Sequence, residues 1–560
     1  MAQRWLIPDA SPQRGPQGLP QLARQVLAAR GLRTEQQVQA FLQRADPGHD
    51  PFRLPGMDVA VERIRLAAER GERVAVYGDY DADGITATAL LSLALQTYGL
   101  KPIAHLPDRF SEGYGVRIEG LEALRNQGVG LVITVDCGVR SIAEVAWGQA
   151  RELDVIVTDH HLAGTSLPPA LAVIDPLRDP VEYPYLGLSG AGVAYKLVQA
   201  LAERLPGRLE PERLLDLVAI GTVADLAPLD GENRSLVARG LDLIRSAPRP
   251  GLQELLRVAG VTPAALTATG IAFSLAPRLN AAGRMDSPRP AFELLIAEQA
   301  SEAAPLAAGL DQANRERQAV TRREFERARD RVLALGRVPP LLAVLSAEMG
   351  EGILGLVAAR LTEEFYRPSL VARLGPEVAR ASLRSIPEFP ITAALEQIAE
   401  RLLEFGGHTT AAGFSARADQ LDKIVAALER MAGPVMAENP SRQIRVDAVA
   451  RLDELDTGLL EFLDQLEPTG QGNPPVMFAA LGVDVLSKRA VGTDGAHLKL
   501  LLREGSHAFD AIAFRQGHRL SGLPRRVDVL FELERNRYLG VETLQMNVKD
   551  LRPASPQIGT

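Results

Sequence analysis

The sequence predicts an α/β protein of several domains, and three observations predict it. Short runs rich in Val and Ile alternate with amphipathic stretches from Arg73 to Asp175; the same alternation returns on a smaller scale from Pro340 to Met431; and the region from Phe478 to Leu551 is dense in strand-like runs. Buried parallel strands read as near-continuous apolar runs, whereas helices between them keep one polar face, so the first two regions imply largely parallel sheets. The third implies a small β-barrel of about five strands. With 560 residues and 46% hydrophobic content, the chain has material for several domains of roughly 100 to 200 residues each.

Residues 1 to 50, rich in Pro, Gln and Arg, read as an N-terminal extension with helices over Leu22 to Ala28 and Glu35 to Gln43. From Arg73 the elements run as the strand RVAVYG, a helix over Ile85 to Thr97, PIAHLP, the strand GLVITVD at 130 to 136, a helix near Ser141 to Arg151, LDVIVTD at 153 to 159 and LAVID at 171 to 175. Helices around Ala191 to Leu205 and Pro211 to Ile220 lead into the loop TVADLAP. The segment 303 to 335 has no proline after Pro305 and is dense in Glu, Arg and Ala, so it predicts one long, partly exposed helix that bridges two domains. The second domain then reads as the strand PLLAVLS, a helix over Ile353 to Phe365, the strands SLVARL and VARASLR, a helix over Ile391 to Glu404, the strand AAGFSA and a helix over Leu421 to Met431. An irregular segment, TGQGNPP, precedes the barrel.

The single cysteine, Cys137, excludes an internal disulfide and a thiolate zinc site and points to a reducing compartment. The start of the chain lacks the basic and apolar regions of a signal peptide, and no apolar run is long enough to span a bilayer. The expectation is a cytoplasmic protein with no membrane partner. Sixty-two basic against seventy acidic residues leave a formal charge of -8, which does not exclude a polyanion partner, because phosphate binding depends on local arginine clusters rather than on the far field.

The chemistry concentrates at strand ends. Asp79, Asp81 and Asp83 in GDYDADG follow the first strand directly, and in an open α/β sheet the C-terminal strand ends face the functional crevice. Carboxylates packed this closely repel one another, and divalent cations relieve the repulsion. Asp136 repeats the arrangement after LVITV, and Asp159, His160 and His161 repeat it after DVIVT. An acidic loop or a helix cap explains each instance alone, but not three consecutive strand ends converging on one edge. One of the adjacent imidazoles can bind a metal while the other reaches a phosphoryl oxygen. Asp225, in the apolar setting GTVADLAP, supplies a further ligand position. Oxygen donors with imidazole suit Mn²⁺ or Mg²⁺, and two such ions about 4 Å apart can activate water and stabilise a leaving oxygen. Asp136, central among the strand ends, is the natural bridge, and the expected reaction is in-line hydrolysis of a phosphoester. Cys137 reads as a small buried neighbour rather than a nucleophile.

GDYDADG, VDCG, TDHH and VADLAP, in this order, resemble the four motifs of the DHH phosphoesterase superfamily. The resemblance implies that Asp81 and Asp136 hold one ion and that Asp83, Asp136, His160 and Asp225 hold the other. Many members carry a histidine where this chain has Tyr77, which weakens the first set, with Asp79 as a substitute. PDRFSEGYGV, RLNAAGRMDSP, GGHTTAAGF and EPTGQGNPPVMF resemble motifs of the RecJ subgroup, which are 5′→3′ exonucleases specific for single strands. In EMGEGILG, Met349 and Gly350 stand where many relatives carry Trp-His. The implied domains are an extension at 1–50, a DHH catalytic domain at 51–302, a connecting helix at 303–337, a DHH-associated domain at 338–437, an OB-type barrel at 438–552 and a disordered tail at 553–560.

Arg278, Asn280 and Arg284 of RLNAAGR have the composition to cradle phosphate, and Arg109 and Tyr114 belong to a similar basic turn. Ser382, Arg384 and Ser385, with Gly407 and His408, are expected to form a pocket for the terminal phosphate. In the barrel, Phe509, Arg515 and Tyr538 are candidates for stacking and backbone contact, along with Phe514 and Arg519. The subgroup further implies single-stranded DNA as substrate, 5′-mononucleotides as products, single-strand-binding protein and a repair helicase as partners, and a monomer. The alternatives are a DHH hydrolase of short oligonucleotides or dinucleotides, and a non-catalytic strand-binding protein.

Overall fold

The computed structural model describes residues 3–8, 19–44, 46, 48–108, 113, 115–178, 182–205, 209–538 and 541–554. Its first sheet has the strand order Ile103–His105, Val74–Tyr77, Leu131–Val135, Asp154–Thr158, Ala172–Ile174, all parallel. The first strand therefore lies second in the sheet, and successive connections run to opposite sides of it. Such a reversal opens a crevice at the carboxyl ends of the strands flanking it, here Val74–Tyr77 and Leu131–Val135. GDYDADG and VDCG leave the sheet at those two ends.

A helical layer closes the crevice. The helices Ala82–Thr97, Gly190–Arg204 and Leu215–Ala224 are apolar nearly all round and pack into one core with the sheet. The predicted bridge is a single helix, Ala300–Ala334, with Pro305 inside its second turn, where it leaves the Ser301 carbonyl without its usual N–H partner. The second sheet has the order Glu404–His408, Ala411–Arg417, Val378–Arg384, Ser369–Leu374, Leu342–Ser346, and only its last pair is parallel. The helix read over Ile391 to Glu404 stops at Glu396, because Glu404 and its neighbours pair with Ala411–Arg417 as an edge strand.

The third sheet closes on itself. Phe478–Val491, His497–Glu504, His507–Ala513, Val541–Pro553 and Arg526–Tyr538 follow one another, and Phe478–Asp484 pairs back onto Arg526–Phe531. Closure removes the open edges that a free sheet would present. Residues near the start of the chain do not form a free extension. Arg4–Leu6 pairs in parallel with Gln443–Arg445, Trp5 donates from Nε1 to Asp550 (3.0 Å), and Leu22, Val26, Leu27 and Val38 share a core with the barrel. Among the described residues no helix is long and apolar enough to cross a membrane.

Candidate metal centre

Asp81 is the N-cap of the helix Ala82–Thr97: its Oδ1 accepts from the N–H groups of Asp83 (3.0 Å) and Gly84 (3.1 Å). A cap uses one carboxylate oxygen and leaves the other for a cation, so capping and ligation coexist here. Asp83 follows in the first turn and accepts from the N–H groups of Gly190 (2.7 Å) and Ala191 (3.0 Å) at the start of Gly190–Arg204. That helix N-terminus is a partial positive charge aimed at a buried carboxylate. Gly190 and Gly221 are required by close approach: a Cβ would lie 2.5 Å from Asp136 Cβ in the first case and 2.5 Å from Asp83 Oδ1 in the second.

Asp136 ends the central strand with φ of 61°, a left-handed conformation that Asp tolerates better than bulkier residues. His160 Nε2 lies 3.0 Å from Asp136 Oδ1 and 4.0 Å from Asp83 Oδ2, while its Nδ1 lies 3.9 Å from Asp225 Oδ2. Three sets result, each with ligand atoms within 4.8 Å of one another: Asp79, Asp81 and Asp136; Asp83, His160 and Asp225; Asp136, His160 and His161. Asp136 and His160 each belong to two of these sets.

Asp159 has a different task. Its Oδ1 accepts from the backbone N–H groups of His160 (2.8 Å) and His161 (3.2 Å) and lies 2.7 Å from His161 Nδ1, while Oδ2 accepts from Val139 N–H (2.9 Å). The contact at Nδ1 orients the His161 ring. Tyr77 is wholly buried beside Val116, Leu121 and Cys137, with its ring 4.4 Å from that of His105, so the position that is histidine in many relatives contributes no ligand. Asp79 takes part in the first set instead.

Burial pushes the Asp136 carboxyl well above its usual range, and Asp83, Asp81, Asp79 and Asp225 add to the effect. Asp83 is raised by burial first, and Asp225 is pushed up to about 7 by burial and then by Asp83. Burial opposes protonation of His160 and His161, but the carboxylates around them, Asp225 foremost for His160 and Asp159 for His161, raise both. Burial alone would also raise Asp159, yet the hydrogen bond with His161 leaves it below the usual range. Without cations the cluster therefore retains protons that an anion-rich cage cannot shed. Donors of this kind, buried, oxygen-rich and mutually repelling, fit hard divalent cations. Cys137 is buried with its thiol raised well above the ordinary value, as expected of an inert neighbour.

The residues expected to hold nucleic acid divide into several groups. RLNAAGR lies in a helix, Ala276–Met285, rather than a loop. Arg278 is committed to Asp311 of the long helix (2.9 Å) and to the Ser274 carbonyl (2.6 Å), and Asn280 Oδ1 accepts from Ala82 N–H (2.9 Å). Asn280 thus braces the acidic loop, and Arg278 ties its helix to the long helix. Arg284 Nη1 donates to the Gly352 carbonyl (3.2 Å) and so touches the second domain. Ser385 is buried, and its hydroxyl donates to the Phe389 carbonyl (2.6 Å). Ser382 and Arg384 lie side by side on Val378–Arg384, with Gly407 and His408 on the exposed edge strand two strands away. His408 is held below its usual pKa by burial and then by the charges of His161, His160 and Arg140. In the barrel Phe514 is exposed and meets His497 edge-on, Arg515 is exposed, Phe509 packs partly on the core, and Arg519 is paired with Asp550. Arg109, Tyr114 and the Tyr538 side chain lie outside the described residues.

The reading from sequence passed over Arg140, whose Nε donates to the Leu162 carbonyl (2.7 Å) beside the histidine pair, and Asp175, a fully buried strand-end carboxylate pushed up to about 7. Their signal was position: Arg140 stands four residues after Asp136, and Asp175 ends the fifth strand as the other acids end theirs.

Comparison with known families matches residues 73–222 to the DHH family, N-terminal domain, 339–433 to the DHHA1 domain and 446–550 to the RecJ OB domain. A single-stranded-DNA-specific exonuclease RecJ of Dickeya dadantii (strain 3937) is 36% identical over 571 residues, covering 96% of this chain and 97% of the relative. The crystal structure of RecJ in complex with Mn²⁺ from Thermus thermophilus superposes with a TM-score of 0.84 at 31% identity, over 99% of this chain and 80% of that one. The corresponding structure in complex with Mg²⁺ gives 0.78 at 30% identity, over 99% and 78%.

Proposed function

The chain belongs to the RecJ family of DHH phosphoesterases, and from that premise we propose that it is a divalent-metal-dependent exonuclease that hydrolyses single-stranded DNA from the 5′ end, releasing 5′-mononucleotides in repair and recombination. The observation that carries the proposal is the convergence of Asp79, Asp81, Asp83, Asp136, His160 and Asp225 at neighbouring strand and helix ends.

Asp79, Asp81 and Asp136 would hold one Mn²⁺ or Mg²⁺, and Asp83, Asp136, His160 and Asp225 the other. Bound divalent cations supply water of lowered pKa and a positive clamp on phosphoryl oxygens. Asp81 and Asp83 are held in place by the helix they begin and by Asn280, so the ligand set needs little rearrangement. His161, whose doubly protonated form Asp159 favours through Nδ1, donates from Nε2 to a non-bridging oxygen as charge grows there. Arg284, beside Gly352 of the second domain, and Arg140, beside the histidine pair, take the adjoining phosphates. Ser382, Arg384, Gly407 and His408 receive the 5′-terminal phosphate, which gives the polarity, and Phe514 and Arg515 of the barrel contact the outgoing strand together with Arg109, Tyr114, Phe509 and Tyr538. The protein acts as a cytoplasmic monomer, and single-strand-binding protein and a helicase supply its substrate.

End-labelled single strands of either polarity, incubated with Mn²⁺ or Mg²⁺, test this reading. Mononucleotides released from the 5′ end are expected; release from the 3′ end, or equal rates on a dinucleotide and a long strand, would defeat it.

A further inference from the structure

Arg234 lies in the helix Gly231–Ser246 of the first domain and is only 3% exposed. Among the described residues no carboxylate lies within ion-pair distance of it. Its Nη1 donates to the carbonyls of Leu466 (2.8 Å) and Pro468 (3.2 Å), its Nη2 to those of Gln465 (3.2 Å) and Glu467 (3.0 Å), and its Nε to that of Phe41 (3.2 Å). The guanidinium also stacks on the Phe41 ring at 3.8 Å. All five N–H groups of the fork are thus spent on acceptors from outside its own domain. Gln465 and Leu466 end the helix Thr457–Gln465, whose last carbonyls have no helical N–H to accept.

Four of these carbonyls, Gln465 to Pro468, lead into EPTGQGNPP, a motif that supplies no residue to the metal centre. Asn473, 3% exposed, donates from Nδ2 to the same carbonyls of Leu466 (2.9 Å) and Pro468 (2.8 Å), and its Oδ1 accepts from Arg30 of the N-terminal helix. Leu229 N–H donates to the Gln471 carbonyl (2.6 Å), so the motif also grips the turn that follows Asp225. Three bodies meet at this point: the first domain, the N-terminal helices and the lead into the barrel. Burying a charge on carbonyls alone adds little stability compared with apolar packing, but the planar fork meets five acceptors in only one orientation.

We propose that Arg234 and Asn473 are positioning residues that form a rigid joint, setting the distance and angle at which the barrel presents a bound strand to the metal centre. The proposal rests on the exonuclease reading. A strand long enough to reach both modules is held at the effective concentration that their mutual geometry allows, and a loosened joint dilutes it without touching the chemistry.

The test uses the full chain with Mn²⁺, as wild type, Arg234→Gln and Asn473→Ala, on 5′-phosphorylated single strands of about four and about 40 nucleotides, shorter and longer than the reach of one barrel. For both variants KM on the long strand is expected to rise about tenfold or more, with shorter processive runs, while kcat and KM on the short strand stay within about twofold. An unchanged KM on the long strand, or a parallel loss on both strands in a folded variant, overturns the proposal. Should Arg234→Gln fail to fold by circular dichroism, Asn473→Ala, which deletes fewer bonds, decides alone. A wild type that cleaves neither strand defeats the exonuclease reading instead and is seen before any variant is compared.

Discussion

Asp136 belongs to two of the three candidate ligand sets and lies 3.0 Å from His160 Nε2, so replacing it removes a ligand from both. Asp136→Ala should lower turnover by roughly a thousandfold or more while strand binding stays within a few-fold, since several kcal/mol of charge stabilisation disappear. Single-turnover kinetics beside a filter-binding titration separate the two. Asp159 acts through His161, and Asp159→Asn should cost roughly 10- to 100-fold in activity, as for other partners that orient a site histidine. A pH series reads the same residues. Asp225 and Asp175 are pushed up to about 7, and His160 and His161 are raised too. A raised folded-state pKa gives stability that is complete below the unfolded value and lost as pH rises through the folded one, for acids and histidines alike. Without cations the melting temperature should therefore fall as pH climbs through about 7, with Asp159, held low, acting oppositely only in acid. Mn²⁺ should flatten that fall; equal slopes in chelator and in Mn²⁺ would contradict the protonation argument.

At the level of elements, strand ends were legible and the parts that brace them were not. RVAVYG, LVITV and DVIVT are apolar runs that end abruptly in Asp, and in a parallel sheet their ends share an edge wherever the helices go. RLNAAGR looks like a loop because it is small and contains Gly, yet Ala, Leu and Arg are strong helix formers and the segment is helical. Its Asn280 bonds Ala82 N–H, 198 residues away, a contact with no local signature. Asn280→Ala should leave the acidic loop less firmly held, lowering stability by about 1 kcal/mol and weakening Mn²⁺ binding, as measured by a chemical melt and by calorimetric titration. The backbone N–H groups of Gly190 and Ala191 that hold Asp83 were equally invisible, because any helix start supplies them.

Across the whole molecule, three sheets in this order followed from the sequence, but the return of the N-terminal residues to the barrel did not. Trp5 meets Asp550 and Leu27 joins the barrel core through contacts hundreds of residues apart, which periodicity cannot reveal. The same scale sets substrate choice. The chain's relatives are single-stranded-DNA-specific exonucleases, which bears on the choice between a strand and a duplex. A blunt duplex should be degraded far more slowly than its separated strands, as a comparison of the two by gel would report. The central claim, that strand-end acids and an imidazole form a cage for two cations, is tested most directly by anomalous scattering from crystals soaked in Mn²⁺. Two peaks are expected, one among Asp79, Asp81 and Asp136 and one among Asp83, Asp136, His160 and Asp225. Absence of density at both positions in crystals that bind Mn²⁺ elsewhere would contradict it.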